Sequence, residues 1–123
     1  MANILIVDDS KFMRKMLSDI LTEDGHQVVG EAENAKEATE LYKILKPDLI
    51  TLDIIMPDVE GIDAIAALKN MIQVDPQAKV VMVSSMGQKE VVEECIQAGA
   101  KNFIVKPFQP SNIAGIVKDV LNE

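Results

Sequence analysis

The sequence predicts an α/β protein: one parallel sheet of five strands with five helices on its two faces. Three observations predict it. Five short strand-like runs recur along the 123 residues, each followed by apolar residues at helical spacing. Alternation at that interval builds parallel sheets with right-handed crossovers. The runs at 4–7, 49–52 and 80–83 are almost wholly apolar rather than alternating, as in strands covered on both faces.

The elements follow in order. Ile4, Leu5, Ile6 and Val7 form the first strand, which ends in Asp8 and Asp9. Ser10 can cap the first helix, whose apolar positions are Met13, Met16, Leu17, Ile20 and Leu21, and Gly25 stops it. His26, the one histidine, falls in the next turn and reads as a surface residue. Gln27, Val28, Val29 and Gly30 make a short strand whose polar flanks suit a sheet edge. Asn34 can cap a second helix carrying Ala35, Ala38, Leu41, Tyr42 and Leu45, closed at Lys46 and Pro47. Leu49, Ile50, Thr51 and Leu52 form the third strand, which stops at Asp53. Pro57 cannot donate to a ladder, and Asp58 and Gly61 supply turn chemistry. From Gly61 a third helix is expected, with Ile62, Ile65, Leu68 and Ile72 inward. Val80, Val81, Met82 and Val83 form the fourth strand, ending in Ser84 and Ser85. Val91, Val92, Cys95 and Ile96 lie on a fourth helix, stopped at Ala98, Gly99 and Ala100. Phe103, Ile104 and Val105 form the fifth strand, ending in Lys106 and Pro107. The last helix carries Ile113, Ile116, Val117, Val120 and Leu121, with Pro110 or Ser111 expected near its N-cap.

Composition narrows the function. The length suits one domain over residues 1–123, with no linker or repeat. An apolar content of 48% is that of a folded chain. Twenty acids against twelve bases give a net charge of −8, which argues against a nucleic-acid surface. No apolar run approaches the roughly 20 residues of a membrane span, and residues 1–3 carry no leader signature, so a cytoplasmic monomer is expected. Cys95 is the one cysteine, which excludes a thiolate metal site. It reads as a buried, inert thiol.

The chemistry is expected at the strand ends. In a parallel sheet Asp8, Asp9, Asp53, Ser84 and Lys106 all emerge at one edge, where open α/β sheets bind ligands. Taken singly, each has an ordinary explanation as a cap, a turn residue or a solvated charge. Together, converging carboxylates raise one another's pKa unless a cation neutralises them. Mg²⁺ suits such a site, since it takes one or two carboxylates, keeps waters and shares phosphate oxygens. A carboxylate here can also attack phosphorus and form an acyl phosphate. Lys106 would then place a compact positive charge on the phosphoryl group, and Ser84 a hydroxyl donor.

On these residues the chain resembles the receiver domains of two-component response regulators, over nearly its whole length. The motifs are VDDS from Val7, LDIIMPDVEG from Leu52, VSS from Val83, AGA from Ala98 and VKPF from Val105. Within that family it most resembles the single-domain chemotaxis regulators. The resemblance implies a flavodoxin-like doubly wound sheet in the order 2-1-3-4-5, an order that periodicity alone does not supply. It implies that Asp53 accepts phosphate from a histidine kinase. It also implies that Asp8, Asp9, Asp53 and the backbone carbonyl of Ile55 arrange Mg²⁺ (or Mn²⁺), some through water. Lys106 and Ser84 would sense the phosphoryl group, and the Lys106–Pro107 bond would be cis. Phe103 matches the family's switch aromatic, often tyrosine in chemotaxis regulators. Here the ring has no hydroxyl, so its burial alone would report the state, or it is simply a core residue of the edge strand. Ile55 and Met86 fall at the positions that flank the line of water attack and would tune the lifetime of the phosphorylated state.

Other classes are less well matched. A haloacid-dehalogenase-type phosphatase would need an acid two residues after the nucleophile, where this chain has Ile55. A flavodoxin-like redox protein would want a hydroxyl- or glycine-rich loop after the first strand, where this chain has Asp8 and Asp9. The protein is therefore expected to be a phosphoacceptor switch, assisting its own phosphorylation and dephosphorylation, rather than an enzyme. With no output domain expected after Glu123, signalling would pass through the surface of helix 4, strand 5 and helix 5, near Lys89, Lys101 and Phe103. By resemblance the target is a flagellar motor switch protein or a motor adaptor, with a separate phosphatase. The alternative is a relay receiver that passes its phosphate to another protein.

Overall fold

The computed structural model describes residues 2–123. Strands β1 (Asn3–Val7), β2 (Gln27–Ala32), β3 (Leu49–Leu52), β4 (Val80–Ser84) and β5 (Asn102–Val105) alternate with helices α1 (Lys11–Glu23), α2 (Ala35–Leu45), α3 (Ala64–Val74), α4 (Lys89–Gln97) and α5 (Pro110–Leu121). All four pairings are parallel, and the order is β2-β1-β3-β4-β5. The expected architecture and strand order are the observed ones. β2 runs two residues past its expected end, to Ala32.

Alternation along the strands divides the core in two. Ile4, Ile6, Leu49, Val81 and Val83 pack with Leu17, Leu21, Ile113 and Val117 of α1 and α5. Leu5, Val7, Ile50, Leu52, Val80 and Met82 pack with residues of α2, α3 and α4, among them Ala38, Leu68 and Cys95. The chain leaves β1 toward β2 on one side and returns to β3 on the other, so the switch point lies between β1 and β3. Cys95 is fully buried, and burial pushes its thiol pKa up, as an inert core cysteine requires.

Two local expectations are corrected. The third helix starts at Ala64, because Glu60 and Gly61 both have positive φ and turn the chain between Val59 and Ile62, which pair with each other. Asp63 then caps the helix by accepting from the Ala66 N–H at 2.8 Å. In α5 Pro110 lies beside the N-cap as expected: Gln109 is the cap and Pro110 the first helical residue, where its missing N–H costs nothing. His26 is not a surface residue: its side chain is 10% exposed, and Nδ1 accepts from the Ala2 N–H at 3.2 Å. Ser10 and Asn34 cap α1 and α2 as expected, accepting from Met13 and Glu37.

Thr51 carries a testable consequence. Its hydroxyl is buried in the centre of β3 with no partner among the described residues. A buried hydroxyl without a hydrogen bond costs on the order of 1 kcal/mol. Thr51→Val keeps the shape and removes that group. It should raise stability to urea by about 0.5–1 kcal/mol at unchanged m-value. A loss of stability would mean that the hydroxyl has a partner in solution.

Candidate functional site

The carboxyl ends of β1, β3, β4 and β5 bring the site together, and backbone pairing carries past the strand ends to hold it. Asp8 N–H donates to Ala32 O at 3.0 Å, Asp53 N–H to Val7 O at 3.0 Å, and Lys106 N–H to Ser84 O at 2.9 Å. Asp8, Asp53, Ser84 and Lys106 are thus each anchored by a main-chain bond although each lies just outside, or at the last residue of, its strand. Asp8, Asp53 and Ser84 are buried, whereas Asp9 is exposed.

Asp8, Asp9 and Asp53 each place a carboxylate oxygen within 4.8 Å of the other two. Lys106 Nζ lies 2.8 Å from Asp8 Oδ2 and 3.3 Å from Asp53 Oδ2, so one ammonium bridges the two buried acids. The peptide bond between Lys106 and Pro107 is cis. The Ile55 N–H donates to Asp53 Oδ1 at 3.2 Å, which fixes the roll of the carboxylate. Asp8 Oδ1 accepts from the Ser10 N–H at 2.9 Å. Ser84 lies at the same edge, but its Oγ accepts from the Met86 N–H at 3.3 Å rather than meeting Asp53 or Lys106. Ile55 is 48% exposed on the loop after β3, and Met86 is half-buried on the loop after β4. Phe103 is half-buried on β5, opposite Met82, and packs against the α2–α4 side of the core.

Electrostatics single out Asp53. Burial pushes its pKa up, Lys106 pulls it down, and the charge of Asp8 pushes it up again; the net direction is upward. For Lys106, burial alone would lower the pKa. The hydrogen bond to Asp8 and the charges of Asp53 and Asp8 outweigh it, so the ammonium is held above its ordinary range. Asp53 is thus a carboxyl whose ionised form is disfavoured by its surroundings, beside a firmly charged lysine.

That cost has a sign. A raised carboxyl binds its proton more tightly in the folded state than in the unfolded state. Its contribution to stability is full below the unfolded value near pH ~4 and is lost as pH rises through the folded value. Metal-free Asp53→Asn should therefore melt above wild type at neutral pH, with the gap closing as pH falls toward ~4. A gap that does not change with pH would show that relief of the buried charge is not its source.

Sequence reading missed one residue here. Arg14, on α1 one turn after the cap, donates through Nη1 to the Asp8 carbonyl at 2.7 Å and through Nε to Glu31 Oε1 at 3.0 Å. A basic residue near a helix start carries no signature of a main-chain acceptor, so nothing in the sequence pointed to it.

Comparison with known proteins gives concordant matches. The family model described as response regulator receiver domain matches residues 4–118. The chemotaxis protein CheY of Thermotoga maritima is 55% identical over 95% of this chain and 95% of its own length. That of Bacillus subtilis is 52% identical over 97% of each. Among solved structures, a chain of the CheX–CheY–BeF3–Mg²⁺ complex from Borrelia burgdorferi superposes with a TM-score of 0.89 at 39% identity, over 96% of this chain and 87% of that one. No helix among the described residues is long and apolar enough to cross a membrane.

Proposed function

The chain belongs to the response regulator receiver family, and from that premise we propose that it is a chemotaxis signalling switch in which Asp53 is the phosphoacceptor. The observation that carries this reading is the pairing of a buried, oriented Asp53 carboxylate with the Lys106 ammonium at the edge where Asp8 and Asp9 converge. The switch is not an enzyme with a turnover substrate of its own, but it assists the chemistry performed on it.

The donor is a phosphohistidine of a kinase. An Asp53 oxygen forms the O–P bond as the P–N bond breaks, and the leaving imidazole nitrogen takes a proton from solvent. The Ile55 N–H on Oδ1 holds the carboxylate in one orientation for that attack. The Lys106 ammonium lies against Oδ2 and is placed to meet the incoming phosphoryl oxygens. The Ser84 hydroxyl, released from the Met86 N–H, offers a further donor to the same oxygens.

Three carboxylate oxygens within 4.8 Å of one another fit a hard divalent cation. Asp8, Asp9, Asp53 and the Ile55 carbonyl would hold Mg²⁺, or Mn²⁺ on the same oxygens. Bound there, the ion would neutralise charge on the phosphoryl group. The solved relative described with CheX, BeF3 and Mg²⁺ supports both a metal at this edge and a protein partner for the switch.

Output passes through the face of α4, β5 and α5, where Phe103 changes its burial when Ser84 and Lys106 turn to the phosphoryl group. Its partners are a motor switch protein or motor adaptor, and a separate phosphatase, all on the cytoplasmic side of the membrane. The test combines labelling with amide chemical shifts. A small-molecule acyl phosphate with Mg²⁺ should add one phosphoryl group and shift the amides of α4 and β5. Asp53→Asn should do neither, and labelling of that variant at the wild-type rate would overturn the reading.

A further inference from the structure

We infer that Arg14 is a positioning residue for the metal site: it sets the affinity for Mg²⁺ by clamping the main chain between Asp8 and Asp9. The inference rests on the reading of Asp8, Asp9 and Asp53 as metal ligands given above.

The clamp has three points. The Asp8 N–H is held by Ala32 O on β2 at 3.0 Å. The Asp8 carbonyl, which begins the peptide to Asp9, accepts from Arg14 Nη1 at 2.7 Å. The guanidinium is tied in turn to Glu31, the residue before Ala32, at 3.0 Å. Arg14 thus closes a loop between the β1 end, the first turn of α1 and the β2 end. Its side chain is 13% exposed, so water has little access to replace it.

Geometry explains why this affects Asp9 above all. Asp8 is fixed through its side chain by the Ser10 N–H and Lys106 Nζ. Asp9 is exposed and has no side-chain hydrogen bond among those observed in the described residues. The direction of the Asp9 carboxylate therefore depends on the plane of the peptide before it, and that plane is pinned at its carbonyl by Arg14. Arg14 does not act as a charge on the phosphoacceptor. Its own charge is paired with Glu31, and the groups that shift Asp53 are Lys106, Asp8 and the Ile55 amide, after burial itself.

A planar guanidinium can bond Asp8 O and Glu31 together, while an ammonium offers a single centre. Arg14→Lys should therefore keep part of the function, and Arg14→Met none of it. Groups that orient metal ligands without touching the metal are typically worth 10- to 100-fold in metal affinity.

The experiment titrates Mg²⁺ into the unphosphorylated full chain by calorimetry, then measures the rate of labelling by a small acyl phosphate against Mg²⁺ concentration. Arg14→Met should weaken Mg²⁺ binding about 10-fold or more, with Arg14→Lys in between and Glu31→Gln within about 3-fold of wild type. The maximal labelling rate at saturating Mg²⁺ should stay within about 2-fold of wild type in all three. Should Arg14→Met not fold, the soluble Arg14→Lys must still show weakened binding at an unchanged maximal rate. Wild-type Mg²⁺ affinity in either Arg14 variant, or a fall in maximal rate at unchanged affinity, overturns the inference. Labelling of the wild type that does not depend on Mg²⁺ overturns the reading of the site itself, and the inference with it.

Discussion

Phosphorylated wild-type protein should lose its phosphoryl group slowly, and Ile55→Asn and Met86→Glu should each lose it about 10-fold faster or more. Hydrolysis needs a water in line behind phosphorus, opposite the Asp53 oxygen. Ile55 and Met86 lie on the two loops that rise beside Asp53, and their own backbone N–H groups are tied to Asp53 Oδ1 and Ser84 Oγ. Those bonds fix where the two side chains leave the backbone. Neither side chain can orient a water, beyond the weak acceptor of a thioether. Ile55 is also 48% exposed on its loop, and its bulk is expected to shield the phosphoryl group from water. An amide or acid at either place supplies the missing acceptor, and water positioning of this kind is worth about one to a few powers of ten. The measurement is the decay of phosphorylated protein after removal of the donor. If neither variant decays faster, these side chains do not set the lifetime.

Lys106→Met should destabilise the metal-free protein by about 2–3 kcal/mol. Lys106 is the cation observed to bridge Asp8 and Asp53, which are 1% and 5% exposed at their side chains. Removing one partner of a buried pair leaves the other charges uncompensated, a loss of about 3–5 kcal/mol when burial is complete. The ammonium is 17% exposed, so the expected loss lies below that range. The sign with pH follows from its raised pKa. The stabilisation is full below the unfolded lysine value near ~10.4 and is lost as pH rises through the folded value, so it is present across the neutral range. A divalent cation can take over the neutralising role. Mg²⁺ should therefore raise the melting temperature of Lys106→Met more than that of wild type, and raise that of Asp9→Ala less. Equal Mg²⁺ responses in all three proteins would contradict the shared site.

How far the site was legible depended on where its information lay. Strand ends were readable because buried parallel strands are almost wholly apolar and give way to acids at the sheet edge, as Val7 does before Asp8 and Leu52 before Asp53. Once those ends were placed at one edge, the cluster of Asp8, Asp9, Asp53 and Lys106 followed, and the structure brings these four together. The strand order came from family resemblance, since periodicity does not say which strands are neighbours. The start of α3 was misplaced because Ile62 continues the helical spacing, yet the left-handed pair Glu60 and Gly61 turns the chain first. His26 was misplaced because its partner is the Ala2 backbone, from the other end of the β1–α1 unit. Arg14 was missed for the same reason: its acceptor is a carbonyl, and every residue has one. Lys106 was expected to face a phosphoryl group; in the structure its ammonium lies 2.8 Å from Asp8 and 3.3 Å from Asp53.

The phosphoryl group is expected on Asp53 rather than on its acidic neighbours. The most direct measurement reduces freshly phosphorylated protein with borohydride, which converts an acyl phosphate side chain to the alcohol, and maps the altered residue by peptide mass spectrometry. Reduction is expected at Asp53 alone, in Mg²⁺-treated samples only. Reduction at Asp8 or Asp9 in place of Asp53, or labelling that survives on a histidine or serine, would contradict it.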